Sequence, residues 1–269
     1  MTNKIPKELT HYTTLGGLVG ILESNTLWAS NALFLNDKSE LLHGFEAAKL
    51  AVKVDTASAE RKWIKAVIDE LSIIEDDGLA DAFITCFCER PDVLSLWRGY
   101  GATEQGVAIT FDGPTIARLL GNAGSHPSKV IYAEVTTVQK FRTELKKEIA
   151  ELQEWKDDVG ELELDEIKED ARKIITKLLP RFKHNGFRDE REFRFVAHGA
   201  DDASVKFRTK GSVIVPYITL PVGPRLPIKF ITVGPGSDVE LTRKSVERYL
   251  RAKDYKNAEV RSSKVPYRA

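Results

Sequence analysis

The sequence predicts a single α+β domain, residues 1–269, in which a split, twisted antiparallel sheet holds a cleft. Short runs of β-branched and aromatic residues recur from residue 9 to residue 262, separated by turn residues. One long, charged, helix-patterned stretch, residues 138–180, interrupts them. We expect it to form an inserted helical hairpin that packs outside the sheet as a lid or a partner surface.

Composition narrows the classes of protein that the chain can be. Forty basic and forty acidic side chains cancel, so no net field favours nucleic acid or membrane, although a local patch stays open. No apolar run approaches the roughly eighteen residues of a membrane span, and the first ten residues lack the apolar segment of a signal peptide. Cys86 and Cys88 lie too close in sequence for an easy disulfide. We therefore expect a cytoplasmic protein with no membrane partner.

The opening stretch, residues 9–30, predicts a strand, a helix and a second strand. Residues 9–13 mix β-branched and aromatic side chains, and Thr13 or Thr14 can cap a following helix. Asn25 is suited to end that helix, and residues 27–30 return to an extended pattern. The buried face of the helix is predicted from positions i, i+3, i+4 and i+7, which are Leu15, Leu18, Val19 and Leu22.

Five further helical regions follow from apolar periodicity and capping residues. Asp37 and Glu40 read as a capping box before a helix over residues 41–54. A second helix covers residues 59–74, and Pro114 suits the first turn of a short helix. The hairpin of residues 138–180 turns near Gly160, and the last helix spans residues 239–252.

The remaining strands are predicted from alternating or continuous apolar runs between turn residues. Residues 81–89 are apolar on both faces, which is typical of a central strand. The other predicted strands cover residues 105–111, 129–135, 192–197, 205–208, 213–218 and 228–233, with an edge strand at 258–262.

Two resemblances rest on short motifs. His11-Tyr12-Thr13, followed by the patches at residues 19–22 and 27–29, resembles the opening of the ADP-ribosyltransferase fold of poly-ADP-ribose polymerases and RNA 2′-phosphotransferases. The transferases carry a glycine after the histidine, where this chain has Tyr12. Over most of its length the chain is more similar to a bacterial domain family of unassigned function. Its marks are HYT (11–13), LND (35–37), WRxY (97–100) and ExExR (190–194).

The resemblance to the transferases implies a site for NAD as co-substrate. In that fold a histidine bonds a ribose, a tyrosine stacks on nicotinamide, and a glutamate contacts the ribose 2′-hydroxyl as positive charge develops. His11, Tyr100 and Glu192 match these positions as catalytic residues. The implied cofactor-binding residues are His11, Tyr12, Thr13, Trp97, Arg98 and Tyr100.

Each of these assignments has an alternative. Trp97 replaces Tyr100 as the stacking ring, or is a plain core anchor. Arg98 holds either a phosphate or a neighbouring carboxylate. Glu190 competes with Glu192, and both also fit an edge strand of alternating, ion-paired charges.

We expect no metal site, because the two cysteines supply at most two thiolates and the remaining histidines show no paired metal spacing. Those histidines are His43, His126, His184 and His198.

Three functions follow from these residues and resemblances. The first is an NAD-dependent ADP-ribosyltransferase that modifies a macromolecular acceptor, nucleic acid or protein. Small bacterial transferases of this kind are often toxins or phage-defence effectors, an association that extends to a neutralising partner protein. The alternative is a catalytically inactive, transferase-like module that binds or senses a nucleotide. A third reading, phosphotransfer from RNA, is disfavoured by Glu192, since the phosphotransferases rely on arginines instead.

Overall fold

The computed structural model describes residues 4–35, 38–52, 61–77, 82–101, 105–156 and 164–266. Helices and strands are mixed along this part of the chain. The α-helices are α1 (Leu15–Ser24), α2 (Lys38–Ala51), α3 (Arg61–Asp77), α4 (Leu94–Gly101), α5 (Gly113–Asn122), α6 (Thr137–Lys156), α7 (Leu164–Leu178) and α8 (Val239–Ala252). The strands are β1 (Glu8–Thr14), β2 (Thr26–Asn31), β3 (Ala82–Cys88), β4 (Gly106–Asp112), β5 (Ser125–Lys129), β6 (Ile131–Ala133), β7 (Phe182–His184), β8 (Glu192–His198), β9 (Lys206–Lys210), β10 (Val213–Pro221), β11 (Ile228–Val233) and β12 (Glu259–Ser262).

Ten of these strands form one large sheet. Its main path runs β12-β11-β4-β1-β3-β2-β10-β9, and β8 and β5 extend from β3. Within the described residues its strand pairs are antiparallel apart from β11–β12, and a separate small sheet joins β6 and β7 in parallel. The predicted mixture of helices with one large sheet is thus confirmed, while the expectation of a purely antiparallel sheet is corrected. A parallel strand beside β11 is possible because α8 supplies the helical crossover that parallel pairing requires.

Strand β3 is fully paired along one edge and only partly paired along the other. One edge of β3 pairs with β8 over its whole length. The other edge is shared, since Cys88 pairs with Thr10 of β1 while Phe83 and Ile84 pair with the end of β2. Residues 85–87 of that edge face neither strand in the register. We call this opening between β1 and β2 the gap.

Local sequence explains how α1 connects β1 to β2. The Thr14 hydroxyl accepts a hydrogen bond from the Gly17 amide at 3.2 Å, as an N-cap does. Asn25 adopts a left-handed conformation, with φ of 48°, and ends the helix. Both signals were predicted, and the close approach of the Thr13 side chain leaves no room for a Cβ at residue 17.

Apolar cores cover both faces of the sheet. On one face, α2, α3, α6 and α7 bury a core that includes Trp63, Phe141 and Ile174. On the other face, α1, α5 and α8 bury a second core around Leu18, Ile116 and the phenylalanines of β3 and β8. The predicted helical stretch contains α6 and α7, which pack on α2 and α3 respectively, while the turn predicted near Gly160 lies outside the described residues. The stretch therefore forms part of a core layer, and its use as a lid or a partner surface stays a prediction.

Two local expectations differ from the structure. The predicted strand at residues 129–135 is divided into β5 and β6, and β5 begins earlier than expected. Its sequence is polar and contains Pro127, which an edge strand tolerates, and within the described sheet β5 pairs only with β8. The proposed capping residue Asp37 lies outside the described residues. Among the helices that are described, none is long and apolar enough to cross a membrane.

Candidate functional site

His11 lies at the gap. Its Nδ1 is 2.9 Å from the carbonyl oxygen of Cys86, on the stretch of β3 that pairs with neither β1 nor β2. The imidazole also packs against the Phe87 ring, with 5.7 Å between centroids. Because a carbonyl oxygen only accepts, Nδ1 carries the proton and Nε2 of the neutral ring is left as an acceptor. The side chain therefore takes the place of a strand partner for Cys86.

Burial lowers the pKa of His11 below its ordinary value of 6.5, the hydrogen bond to Cys86 opposes that shift, and the positive charge of Arg208 adds to it. The imidazole is consequently neutral at pH 7. A neutral ring with a free acceptor nitrogen is suited to receive a hydrogen bond from a sugar hydroxyl, which is the role predicted for this residue.

Glu192 begins β8 in a buried position, 7% exposed. Arg194 donates two hydrogen bonds to the Glu192 carboxylate, from Nε to Oε1 at 2.7 Å and from Nη2 to Oε2 at 2.9 Å. Lys183 Nζ lies 3.0 Å from Oε2. Burial raises the pKa of this carboxyl group, but the charges of Arg194 and Lys183 outweigh that effect and hold the pKa well below its usual range. Glu192 is therefore ionised throughout the physiological range.

Glu190 belongs to the same network. It ends the short 3-10 helix Asn185–Glu190, and its Oε2 accepts from Lys183 Nζ at 2.6 Å. Arg194 also donates to the carbonyl of Pro180 at 2.6 Å. We call Lys183, Glu190, Glu192 and Arg194 the ion-pair cluster. Its two basic members were not predicted as site residues, although the period-two spacing of Glu192 and Arg194 did predict their shared face.

Cys86 connects His11 to Glu192. Its carbonyl receives the His11 imidazole, and its side chain hydrogen-bonds the Glu192 carboxylate. The register places Thr10, rather than His11, on the face of Cys88 and Glu192. His11 thus reaches Cys86 through the gap and not from that face of the sheet. The structure brings the two predicted residues to one common neighbour, and their catalytic roles stay predictions.

The predicted aromatic side chains anchor the segment before α4. The Tyr12 hydroxyl donates to the Arg90 carbonyl at 3.1 Å and accepts from the Val93 amide at 3.0 Å. Trp97 is buried, donates to Asp92 at 2.6 Å, and packs edge-on against Tyr12 with 4.8 Å between centroids. This arrangement fits the core-anchor interpretation of Trp97.

The other residues predicted to bind the cofactor are placed less tightly. Arg98 is exposed on α4, and Thr13 is half-buried on β1. Tyr100 belongs to α4, but the position of its ring lies outside what the structure describes. Within the described residues, no three His, Cys, Asp or Glu side chains gather as a metal site would require.

Arg208 of β9 is a further residue beside the gap that sequence reasoning missed. Its Nη2 donates to the Ser30 hydroxyl of β2 at 2.9 Å, and its guanidinium lies 5.5 Å from the centre of the Trp28 ring. No sequence motif predicted the position of Arg208. The pairing of β2 with β10, and of β10 with β9, brings it there.

Residues 96–195 match the model of a family described as a protein of unknown function, DUF2971. The matched stretch begins in α4 and ends within β8, so it contains Trp97 and the whole ion-pair cluster. Comparisons with curated proteins and with solved structures found no match. The similarity to DUF2971 therefore supports a common domain over these residues and carries no activity with it.

Proposed function

We propose that the chain is an NAD-dependent ADP-ribosyltransferase whose site for NAD lies at the gap, and that its acceptor is a macromolecule. The observation that carries this proposal is that His11, through the gap, and Glu192, from the opposite face of the sheet, both contact Cys86. The resemblance predicted both residues for one site although they lie far apart in the sequence. The split sheet supports the same proposal, because the gap is a natural place for a ligand to approach the backbone of β3.

The charge of Glu192, which lies across β3 from the gap, suits cleavage of the bond between nicotinamide and ribose. As nicotinamide leaves with the bonding electrons, positive charge develops on the ribose, and an ionised carboxylate stabilises that charge. Glu192 is ionised because Arg194 and Lys183 hold its pKa low. Arg194, Lys183 and Cys86 together supply four hydrogen bonds to the two carboxylate oxygens, so a ribose hydroxyl would have to displace one of them. The neutral His11 ring would receive a second sugar hydroxyl at Nε2.

A second candidate is a transferase-like module that binds or senses a nucleotide without catalysis. The ion pairs of Glu192 favour it, since Arg194 and Lys183 already neutralise the carboxylate and bury it. In this case the ion-pair cluster would serve to hold β8 against β7 and its neighbours. The two candidates differ in whether bound NAD loses nicotinamide.

Nicotinamide release and transfer of labelled NAD separate these functions. Wild type, Glu192→Gln and His11→Ala are compared, with a cell lysate supplying acceptors. Glu192→Gln keeps the shape but removes the charge, so turnover should fall roughly a hundredfold or more while NAD affinity changes little. His11→Ala should also raise the concentration of NAD required, because its contact is made in the ground state. Glu259→Gln, an exposed ion-paired glutamate of β12, is the matched control.

Circular dichroism must show that each variant is folded before its kinetics are compared. If wild type binds NAD but releases no nicotinamide with any acceptor, the binding module replaces the transferase. If wild type does not bind NAD, both fail. Full activity of folded Glu192→Gln would move the catalytic carboxylate elsewhere, with Glu190 tested next.

A further inference from the structure

Strand β9 places three cations on one face. Lys206, Arg208 and Lys210 occupy alternate positions, and side chains two residues apart in a strand point the same way. Successive cations are therefore about 6.6 Å apart along the strand, and the row spans about 13 Å. Within the described sheet β9 pairs only with β10 and lies at the end of the strand order, so this row runs along an outer edge.

Two aromatic rings and a hydroxyl lie on the same face. Lys206 pairs with Tyr217, and Tyr217 pairs with Ser30, so the register brings them together with Trp28, two residues before Ser30. The Trp28 and Tyr217 rings are 4.7 Å apart at an angle of 32°, and the Arg208 guanidinium lies over both. Both rings are half-buried, so each keeps part of its surface open to solvent. We call Trp28, Ser30, Lys206, Arg208, Lys210 and Tyr217 the basic–aromatic surface.

The positive charges on this surface are close enough to affect one another. Burial lowers the pKa of Lys210, and the charge of Arg208 lowers it further. Arg208 has the same effect on His11, and Ser30, which accepts a hydrogen bond from Arg208, pairs with Ile84 where the gap begins.

We propose that the basic–aromatic surface binds a single-stranded nucleic acid, with Lys206, Arg208 and Lys210 on successive phosphates and a base stacked on the Trp28–Tyr217 pair. A row of about 13 Å is longer than one diphosphate and suits the backbone of an extended strand. Aromatic rings beside arginine are the usual platform for unpaired bases. This inference rests on the proposed function where it names the nucleic-acid strand as the acceptor, because β2, which carries Trp28 and Ser30, borders the gap.

The test measures binding without NAD. Fluorescence anisotropy with labelled oligothymidylate and oligouridylate, at salt concentrations from about 50 to 200 mM, gives affinity and its salt dependence for DNA and RNA separately. The triple variant Lys206→Gln/Arg208→Gln/Lys210→Gln should bind roughly a hundredfold more weakly at the lowest salt. Its plot of log affinity against log salt should be shallower by about 2, as expected for three lost phosphate contacts.

Two further variants separate stacking from general electrostatics. Trp28→Leu should lower affinity about tenfold and leave the salt slope unchanged, because stacking releases no counterions. Lys147→Gln/Lys168→Gln/Lys173→Gln removes the same charge from exposed positions of α6 and α7 and should bind as wild type does.

Several results would overturn the inference. One is an unchanged affinity in the β9 triple variant, and another is an equal loss of affinity in the helix control. A third is that neither oligonucleotide binds while binding of ADP depends on Arg208, which would make this a site for a small nucleotide. Nicotinamide release is measured in parallel. Strand binding that depends on this surface, without nicotinamide release, would sustain the surface and defeat the transferase, so the two failures are distinguishable.

Discussion

The ion-pair cluster and the basic–aromatic surface use charge in opposite ways. In the cluster, the carboxylate of Glu192 meets Arg194 and Lys183 in a buried place, and opposite charges satisfy one another. On the surface, Arg208 and Lys210 are like charges on an outer strand, and burial and the charge of Arg208 both lower the pKa of Lys210. The cluster therefore satisfies its charges within the folded chain, whereas β9 places like charges side by side along one strand.

Removing one member of the cluster should have the largest effect on stability. Arg194→Met leaves the Glu192 carboxylate buried beside a single cation, so we expect the free energy of unfolding to fall by about 3–5 kcal/mol. Urea denaturation followed by circular dichroism measures the loss. Lys173→Met, which removes an exposed pair with Glu169, should cost under about 0.5 kcal/mol.

The double variant Glu192→Met/Arg194→Met sharpens this test. Both charges are then removed together, and we expect it to recover part of the stability lost in Arg194→Met. If Arg194→Met were as stable as wild type, the cluster would not be the closed, self-satisfied unit that its contacts indicate.

Elements whose bounds are set by neighbouring residues were predicted correctly from the sequence. Thr14 and Asn25 delimit α1 as their capping chemistry predicts, and α8 and β11 have the predicted bounds. Contacts between side chains on strands that lie far apart in the sequence were not predicted. Lys183 reaches Glu192 from β7, a three-residue strand with no pattern of its own, and Arg208 reaches Trp28 through two strand pairings. No spacing in the sequence encodes those contacts, because they depend on which strands become neighbours.

A smaller loss is expected from Tyr12→Phe, which tests how firmly the segment before α4 is held. The Tyr12 hydroxyl satisfies the Arg90 carbonyl and the Val93 amide, and removing it leaves both without that partner. We expect a loss of about 1.5 kcal/mol in urea denaturation. Tyr249→Phe removes a hydroxyl from an exposed bond to Glu23 and should change stability little. Equal losses in the two variants would refute an anchoring role.

The titration of His11 predicts a smaller effect, on the pH dependence of stability. Its folded pKa lies below 6.5, so in the window beneath 6.5 the unfolded chain binds a proton that the native chain does not. Stability therefore falls as pH drops from about 7.5 to about 5.5. His11→Gln keeps a donor for the Cys86 carbonyl but does not titrate. Its denaturation curves should lose less stability over that range than wild type, and parallel losses would show that His11 is not the group responsible.

The smallest expected effect is an absence of reaction at Cys88, and it tests whether the cluster is closed to solvent. Burial, with a contribution from the nearby carboxylates of Glu190 and Glu192, raises the pKa of Cys88 to about 12 against the opposing hydrogen bond from the Arg90 amide. The thiol donates to the Glu190 carbonyl at 2.7 Å. At about pH 8 it is therefore protonated, and thiolate is the reactive form. Iodoacetamide should modify Cys88 in urea but leave it unmodified in the native protein, as peptide mass spectrometry would show. Rapid labelling of Cys88 in the native protein would mean that solvent reaches the cluster from the side of Cys88. The ion-pair cluster and the basic–aromatic surface would then differ in charge but not in access to solvent.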